Sequence, residues 1–280
     1  MSNFWQRTLF GAIFVIIIIG AVLLSEYTLL ALLMLITMLG LWELYGLCEK
    51  DEIYPQKIAG IVLGIIPFII VFANTGMSDA MAKWFYSFIL VFPFLIFFFE
   101  LFRKKSKPFA NIAFTFFGII YIPLTLFMFY CISFISTSAH PHICTSLYQP
   151  FNLLGYFFIL WSYDTGAYLV GSKFGKHKLW ERLSPKKTWE GAIGGGIVAI
   201  IIACIISAYF TNFSRMDWII IACIIIITGT LGDLVKSMFK RSINIKDSGN
   251  IIPGHGGILD RFDALFLSAP FVLCYLFLVK

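Results

Sequence analysis

The stretch SMFKRSINIKDSGNIIPGHGGILDRFD, Ser237 to Asp263, lies between two segments apolar enough to cross a membrane. Ionisable groups at membrane depth are costly, and they persist where they face an ion, a substrate or a water-filled cavity. Asp260, Arg261 and Asp263 stand at the very start of an apolar run that continues almost to Lys280. This polar island therefore reads as the seat of an active site, and the segments on either side of it decide the fold.

Those segments are typical of the chain. Of its 280 residues 60% are hydrophobic and 13% charged, against about 45–50% apolar and about 25% charged in ordinary soluble domains. The composition excludes a soluble globular protein and predicts an all-α polytopic transmembrane bundle forming a single domain, 1–280. A span needs roughly 20 apolar residues to cross a hydrocarbon core about 30 Å thick. Nine are expected, at 8–25, 27–47, 57–75, 84–102, 109–136, 151–173, 191–210, 217–238 and 257–279. Arg7 precedes the first apolar run as in a signal peptide, but no A-x-A-like site follows and a second span begins at Tyr27. The first helix is therefore expected to stay as an anchor.

Nine spans place alternate loops on opposite sides, and cytoplasmic loops are enriched in Lys and Arg. With this count only Lys83, Arg215 and Lys280 of the 21 basic residues fall on the side away from the N-terminus. The N-terminus is therefore expected in the cytoplasm, and the net charge of +6 is a one-sided surface suited to anionic head groups. No groove-reading motif is present, so nucleic acid is not an expected partner. The six cysteines are scattered without a C-x-x-C or Cys/His pairing and read as small apolar residues.

The spans within 8–136 are largely Ile, Leu and Phe, and read as scaffold and lipid access; 151–279 reads as the catalytic part. Glu43 and Glu100 fall near the cytoplasmic ends of their helices and are read as interfacial, Glu43 with the interior as its alternative because LWELYGL surrounds it with apolar and aromatic neighbours. Asp164 sits deep in the sixth span, among Ser162 and Thr165, and is expected to line a cavity. The interval 174–190, rich in Lys and Arg around Ser184-Pro185, reads as a loop able to hold phosphates. Either Ser184 or Thr188 would cap the next helix there. Gly191 and Gly195 have the G-x-x-x-G spacing that close helix packing explains.

Asp233, Lys236, Ser237 and Lys240 recur at helical intervals and share one face. Asp260 and Asp263 form an i, i+3 pair on the last helix, and paired carboxylates of this kind call for a divalent cation or basic partners. Pro253-Gly254-His255-Gly256-Gly257 supplies backbone able to approach a phosphate. No Walker A, G-x-S-x-G or H-E-x-x-H sequence occurs, which argues against an ordinary P-loop enzyme, serine hydrolase or zinc protease.

Ser237, Lys240, Arg241, Lys246, Asp247, Gly249, Pro253, His255, Gly256, Gly257, Asp260, Arg261 and Asp263 together resemble the signature of the integral-membrane phosphatidate cytidylyltransferases, or CDP-diacylglycerol synthases. Asp164–Tyr168 (DTGAY), Ser184–Gly191 (SPKKTWEG) and Gly232–Leu234 (GDL) extend the resemblance, while the N-terminal half resembles the family only in hydropathy. The resemblance implies cytidylyl transfer from CTP to phosphatidate at the cytoplasmic face of the inner membrane, with membrane lipid as surroundings and a homodimer as a further expectation. It implies Mg²⁺, with a monovalent cation such as K⁺ sharing the site. Asp233 and Asp260 would be the primary ligands, directly or through water, and Asp263 would stand behind them or serve as an alternate ligand. Lys240, Arg241 and His255 would act on the reacting phosphates; Ser237, Lys186, Lys187, Lys246, Arg261, Gly256 and Gly257 would bind phosphate; Asp164 would line the cavity. The rival readings are a CTP-dependent isoprenoid-alcohol kinase, a cation-coupled carrier, whose charges would not gather at one face, and a structural scaffold.

Overall fold

The computed structural model describes residues 3–74, 91–136, 147–243, 245 and 256–279. The expected fourth span lies partly outside these. The chain divides into two compact units, one of Met1–Phe127 with Asp247–Asp260, the other of Met128–Lys246 with Arg261–Lys280. Nearly all regular structure is helical. Five helical stretches among the described residues are long and apolar enough to cross a membrane: Glu26–Asp51, Pro108–Ile132, Trp189–Tyr209, Arg215–Ser242 and Leu259–Val279.

In the first unit α1 (Asn3–Leu24) runs into α2 (Glu26–Cys48). Ser25 caps α2 in a reciprocal box with Thr28, which satisfies amides that helix geometry leaves open. Helix α3 (Lys57–Asn74) packs on α2, and α4 (Leu95–Phe102) precedes α5 (Pro108–Ile119). At Ile120–Leu124 the chain takes a π-turn around Pro123 before α6 (Thr125–Ile132), of which only residues 125–127 belong to this unit. Proline has no N–H and clashes with the carbonyl a turn earlier. The Thr125 hydroxyl donates to the carbonyls of Tyr121 and Ile122 at 2.8 and 2.9 Å.

Glu43 and Glu100, expected at the interface, are both buried. Glu100 accepts from Gln56 Nε2, Arg103 and Asn111 Nδ2 at 2.7–2.8 Å; Arg103 is its i+3 neighbour, while Gln56 and Asn111 come from other segments whose convergence the sequence does not display. A carboxylate satisfied this fully can leave water.

The second unit contains α7 (Pro150–Phe174), α8 (Trp189–Tyr209), α9 (Arg215–Ser242) and most of α10 (Leu259–Val279). Helix α7 has 25 residues but is not among the five apolar spans, because Ser162, Asp164, Thr165, Ser172, Lys173 and its glycines interrupt its apolar run. Helix α8 is the clearest sign of a lipid surround. Ile193, Ile197, Ile201 and Ile205 are 61, 56, 53 and 51% exposed, whereas Gly191, Gly195, Ala199 and Ala203, on the opposite face, are buried. A water-soluble helix would bury its isoleucines. In lipid, small residues go inside because they let backbones pack closely.

The α7–α8 crossing shows how closely. A Cβ on Gly195 would lie 2.7 Å from both Ala167 N and Tyr163 O. Helices α9 and α10 run antiparallel and are fastened near one end by Tyr275, whose hydroxyl donates to Asp217 at 2.8 Å. Asp217 also forms the box that caps α9 with Ser214.

The interval 174–190 is not an irregular loop. Lys178–Trp180 (β1) and Ser184–Thr188 (β2) form an antiparallel ribbon with Lys178 opposite Thr188 and Trp180 opposite Ser184. Pairing satisfies main-chain groups that would otherwise depend on water beside the membrane. Of the two candidate caps for α8 it is Thr188 that serves, accepting from Gly191 N–H at 3.2 Å.

Two glycines one residue apart give contrasting tests. Gly195→Ala places its methyl against backbone and should destabilise the purified protein by about 2 kcal/mol. Gly196→Ala meets only Ile226, at 3.7 Å, and should stay within about 0.5 kcal/mol of the parent. Thermal unfolding in detergent reads both.

Candidate active site

The site grows from the last polar turns of α9. Asp233 and Lys236 are three residues apart on one helical face, and Lys236 Nζ lies 3.1 Å from Asp233 Oδ1. The same ammonium pairs with Asp263 Oδ2 of α10. This reach depends on Gly232, where a Cβ would stand 2.5 Å from the Asp263 carbonyl oxygen. From the ribbon, Lys187 Nζ meets the other oxygen of Asp233 at 2.6 Å. The result is a row of alternating charge, Lys187, Asp233, Lys236 and Asp263. The side chains of Lys236 and Asp263 are only 11 and 12% exposed. Such a pair withstands the loss of water because each charge has an opposite neighbour.

Beside this row is a cavity of about 460 Å³ lined by α7, the ribbon, α8 and α9, within the usual size of small-ligand pockets. Asp164, Tyr163, Lys186, Lys187, Thr230 and Asp233 supply its polar lining, and Ala167, Leu179 and Ala192 apolar wall. Tyr163 and Thr230 hydrogen-bond through their hydroxyls. Glu190 faces the residues that enter the ribbon, accepting from the N–H groups of Lys176 and His177 at 3.1 and 3.2 Å and contacting His177 Nδ1 at 2.6 Å. The ribbon is thereby tied to the start of α8.

The structure brings Asp164, Lys186, Lys187 and Asp233 to one cavity and joins Asp263 to them through Lys236. Ser237, half-buried, lies one residue beyond Lys236 on α9, while Lys240 and Arg241 occupy its last turn, where cations complement the helix dipole. Arg261 is exposed on α10. Gly256, Gly257 and Asp260 belong to the first unit. There the Gly257 N–H donates to Asp260 Oδ2 at 3.4 Å, and the space a side chain on Gly257 would need is filled by the Glu43 carboxylate. His255 and Lys246 lie outside the described residues.

Lys236, Tyr163 and Thr230 were not among the expected site residues. The spacing of Asp233 and Lys236 was visible, but not that one ammonium would serve two helices. Tyr163 and Thr230 carry no motif and meet only through the packing of α7 on α9.

The donor set can be tested against a hard divalent cation. Among the described residues no group of three or more His, Cys, Asp and Glu side chains is placed to hold a metal. Asp233 and Asp263, however, already present carboxylates to one positive charge. Mg²⁺ is characteristically held by one or two carboxylates completed by water and substrate phosphates, so the residues fit that ion.

A bundle that buries glycine, exposes isoleucine and sets lysines and aspartates around a cavity is that of a helical membrane protein. The chain belongs to the cytidylyltransferase family, whose model matches residues 5–279. It is similar to a phosphatidate cytidylyltransferase of Staphylococcus haemolyticus (strain JCSC1435), 33% identical over 94% of this chain and 95% of that protein. Proteins of the same description from Rickettsia bellii (strain RML369-C) and Staphylococcus saprophyticus are 36 and 32% identical, covering 79 and 94% of this chain and 90 and 95% of their own lengths.

Lys236→Met should leave two carboxylates facing each other without their shared cation and destabilise the protein by about 3 kcal/mol. Adding Asp263→Asn should restore at least half of that loss, as read by thermal unfolding in detergent.

Proposed function

We propose that this chain transfers the cytidylyl group of CTP to phosphatidate, giving CDP-diacylglycerol and pyrophosphate. The observation that carries this reading is the cavity in which Lys186 and Lys187 face Asp164 and Asp233, in a chain matched by the cytidylyltransferase family over residues 5–279.

A phosphate oxygen of phosphatidate attacks the α-phosphorus of CTP, a new P–O–P link forms, and the bond to the β-phosphate breaks with its electrons leaving on pyrophosphate. The nucleophile is a phosphate monoester already ionised near neutral pH, so no strong base is required. The difficulty is to bring two polyanions together. Lys187 and Lys186, held on the ribbon above the cavity, offset their charge and orient the triphosphate, and Lys236 keeps Asp233 and Asp263 in fixed positions. Lys240, Arg241, Lys246, Arg261, Ser237 and His255 are assigned to the phosphates of the two substrates, as is the open glycine backbone at Gly256 and Gly257. Asp164 lines the cavity and orients Lys187.

Asp233 and Asp263 are the carboxylates that would hold Mg²⁺, with Asp260 assigned to it as a further ligand and K⁺ as a companion ion. When bound, the ion supplies positive charge to the α-phosphate and the leaving pyrophosphate.

The finer topology belongs to the same proposal: nine spans, a cytoplasmic N-terminus, a location in the inner membrane and a site open to cytoplasmic CTP. Its support is the placement of the basic residues. Residues 8–136 are assigned to scaffold and lipid access and 151–279 to catalysis. The exposed isoleucines of α8 support a lipid surround; the homodimer is checked by sizing in detergent micelles.

The purified protein should release pyrophosphate, not CDP, from CTP and phosphatidate, and only when Mg²⁺ is added. Asp233→Asn and Asp263→Asn should each lose about two orders of magnitude in turnover. CDP as product would point instead to a lipid kinase, and near-normal turnover of both variants would sink the assignment of the carboxylates.

A further inference from the structure

Glu43 belongs to α2, in the half of the chain to which sequence reading attached no chemistry. Its carboxylate is buried, and the main-chain N–H of Ile258 donates to Oε2 at 2.7 Å. A Cβ built on Gly257 would lie 1.7 Å from Glu43 Oε1 and 2.3 Å from its carboxyl carbon. Position 257 is therefore glycine because the side chain of residue 43 fills the space that its own would take. Ile258 packs over Gly40, one turn earlier on α2, at 3.6 Å from the Cβ position.

The neighbouring residues make the turn a determined one. Gly256 has φ of +82°, a conformation open to glycine and strained for most other residues. On the far side, Gly257 N–H donates to Asp260 Oδ2 at 3.4 Å. The turn 256–258 is thus held to α2 by Glu43 and joined to the carboxylate of Asp260 in the first turn of α10. A buried carboxylate is costly unless hydrogen-bonded, and a main-chain N–H to an ionised acceptor is among the stronger bonds available. An apolar residue at 43 would fill space without offering a directional acceptor; a carboxylate fixes the position of one particular N–H.

We propose that Glu43 is a positioning residue of the active site, setting the 256–258 turn and through it the orientation of Asp260. This rests on the assignment of Asp260 to the cytidylyl-transfer reaction.

The test is a double-mutant cycle on the full-length protein in detergent, read as pyrophosphate release from CTP and phosphatidate, with melting temperature and active fraction measured alongside. Glu43→Ala and Gly257→Ala should each lower kcat of the folded protein roughly a hundredfold, with KM for CTP within about threefold, since a misplacement of about 1 Å costs that much. Glu43→Gln keeps an oxygen for the Ile258 N–H and should stay within about tenfold of the parent. The double variant E43A/G257A should turn over no slower than about threefold below either single variant, because the methyl has nothing left to clash with once the carboxylate is gone and the two losses do not multiply. If E43A does not purify folded, E43D/G257A takes its place, its carboxylate being one methylene shorter. Losses that simply multiply in the double variant, or an E43A protein that melts lower but keeps its kcat per folded molecule, would overturn the proposal. A parent protein that releases no pyrophosphate overturns the functional reading itself; one that does, with multiplying losses, overturns only the role of Glu43.

Discussion

One lysine ammonium shared by two aspartates is the interaction on which the candidate site depends. Lys236 pairs with Asp233 on its own helix and with Asp263 on α10. The two carboxylates would otherwise repel each other at a distance where water is scarce. Asp233 in turn receives Lys187 from the ribbon, so three separate elements are referred to one row of charge. Lys236 and Asp217 are separated by about 28 Å along α9 at 1.5 Å per residue, and each is bonded to α10. The helix pair is therefore fastened by polar contacts near both ends, with apolar packing between them.

That packing has the logic of lipid. Because hydrocarbon surrounds the bundle, apolar side chains gain little by turning inward, and what holds helices together is close contact and buried hydrogen bonds. The glycine and alanine face of α8 and the outward isoleucines are two sides of this rule. Close contact also has a functional consequence. Where Gly195 lets α8 lie against α7, the ribbon that precedes α8 is carried over the Asp164 face of α7, and the cavity opens between them.

The class of fold was legible because the signal is compositional: long apolar segments separated by charge allow little besides membrane helices. The motif residues of the site were legible for a related reason, since acids and bases at membrane depth stand out against their background. Partnerships were harder to read. Asp233 and Lys236 could be placed on one helical face, but Asp263 could not be assigned to the same lysine, because that requires the α9–α10 separation that Gly232 sets. The ribbon was missed because three and five residues with charged side chains carry a weak strand signal; its pairing is decided by main-chain hydrogen bonds. Glu43 and Glu100 were read as interfacial because their partners lie up to 215 residues away in sequence.

The sequence by itself determined the helical membrane class, most element boundaries to within a few residues, the family signature and the acids and bases from which a site is made. Those follow from local hydropathy, spacing and residue chemistry. The tertiary structure alone decided which lysine neutralises which aspartate, that Thr188 rather than Ser184 caps α8, and that the missing side chain of Gly257 leaves room for Glu43. Each of these is a matter of distance between segments remote in sequence, and such distances are set by the packing of whole helices.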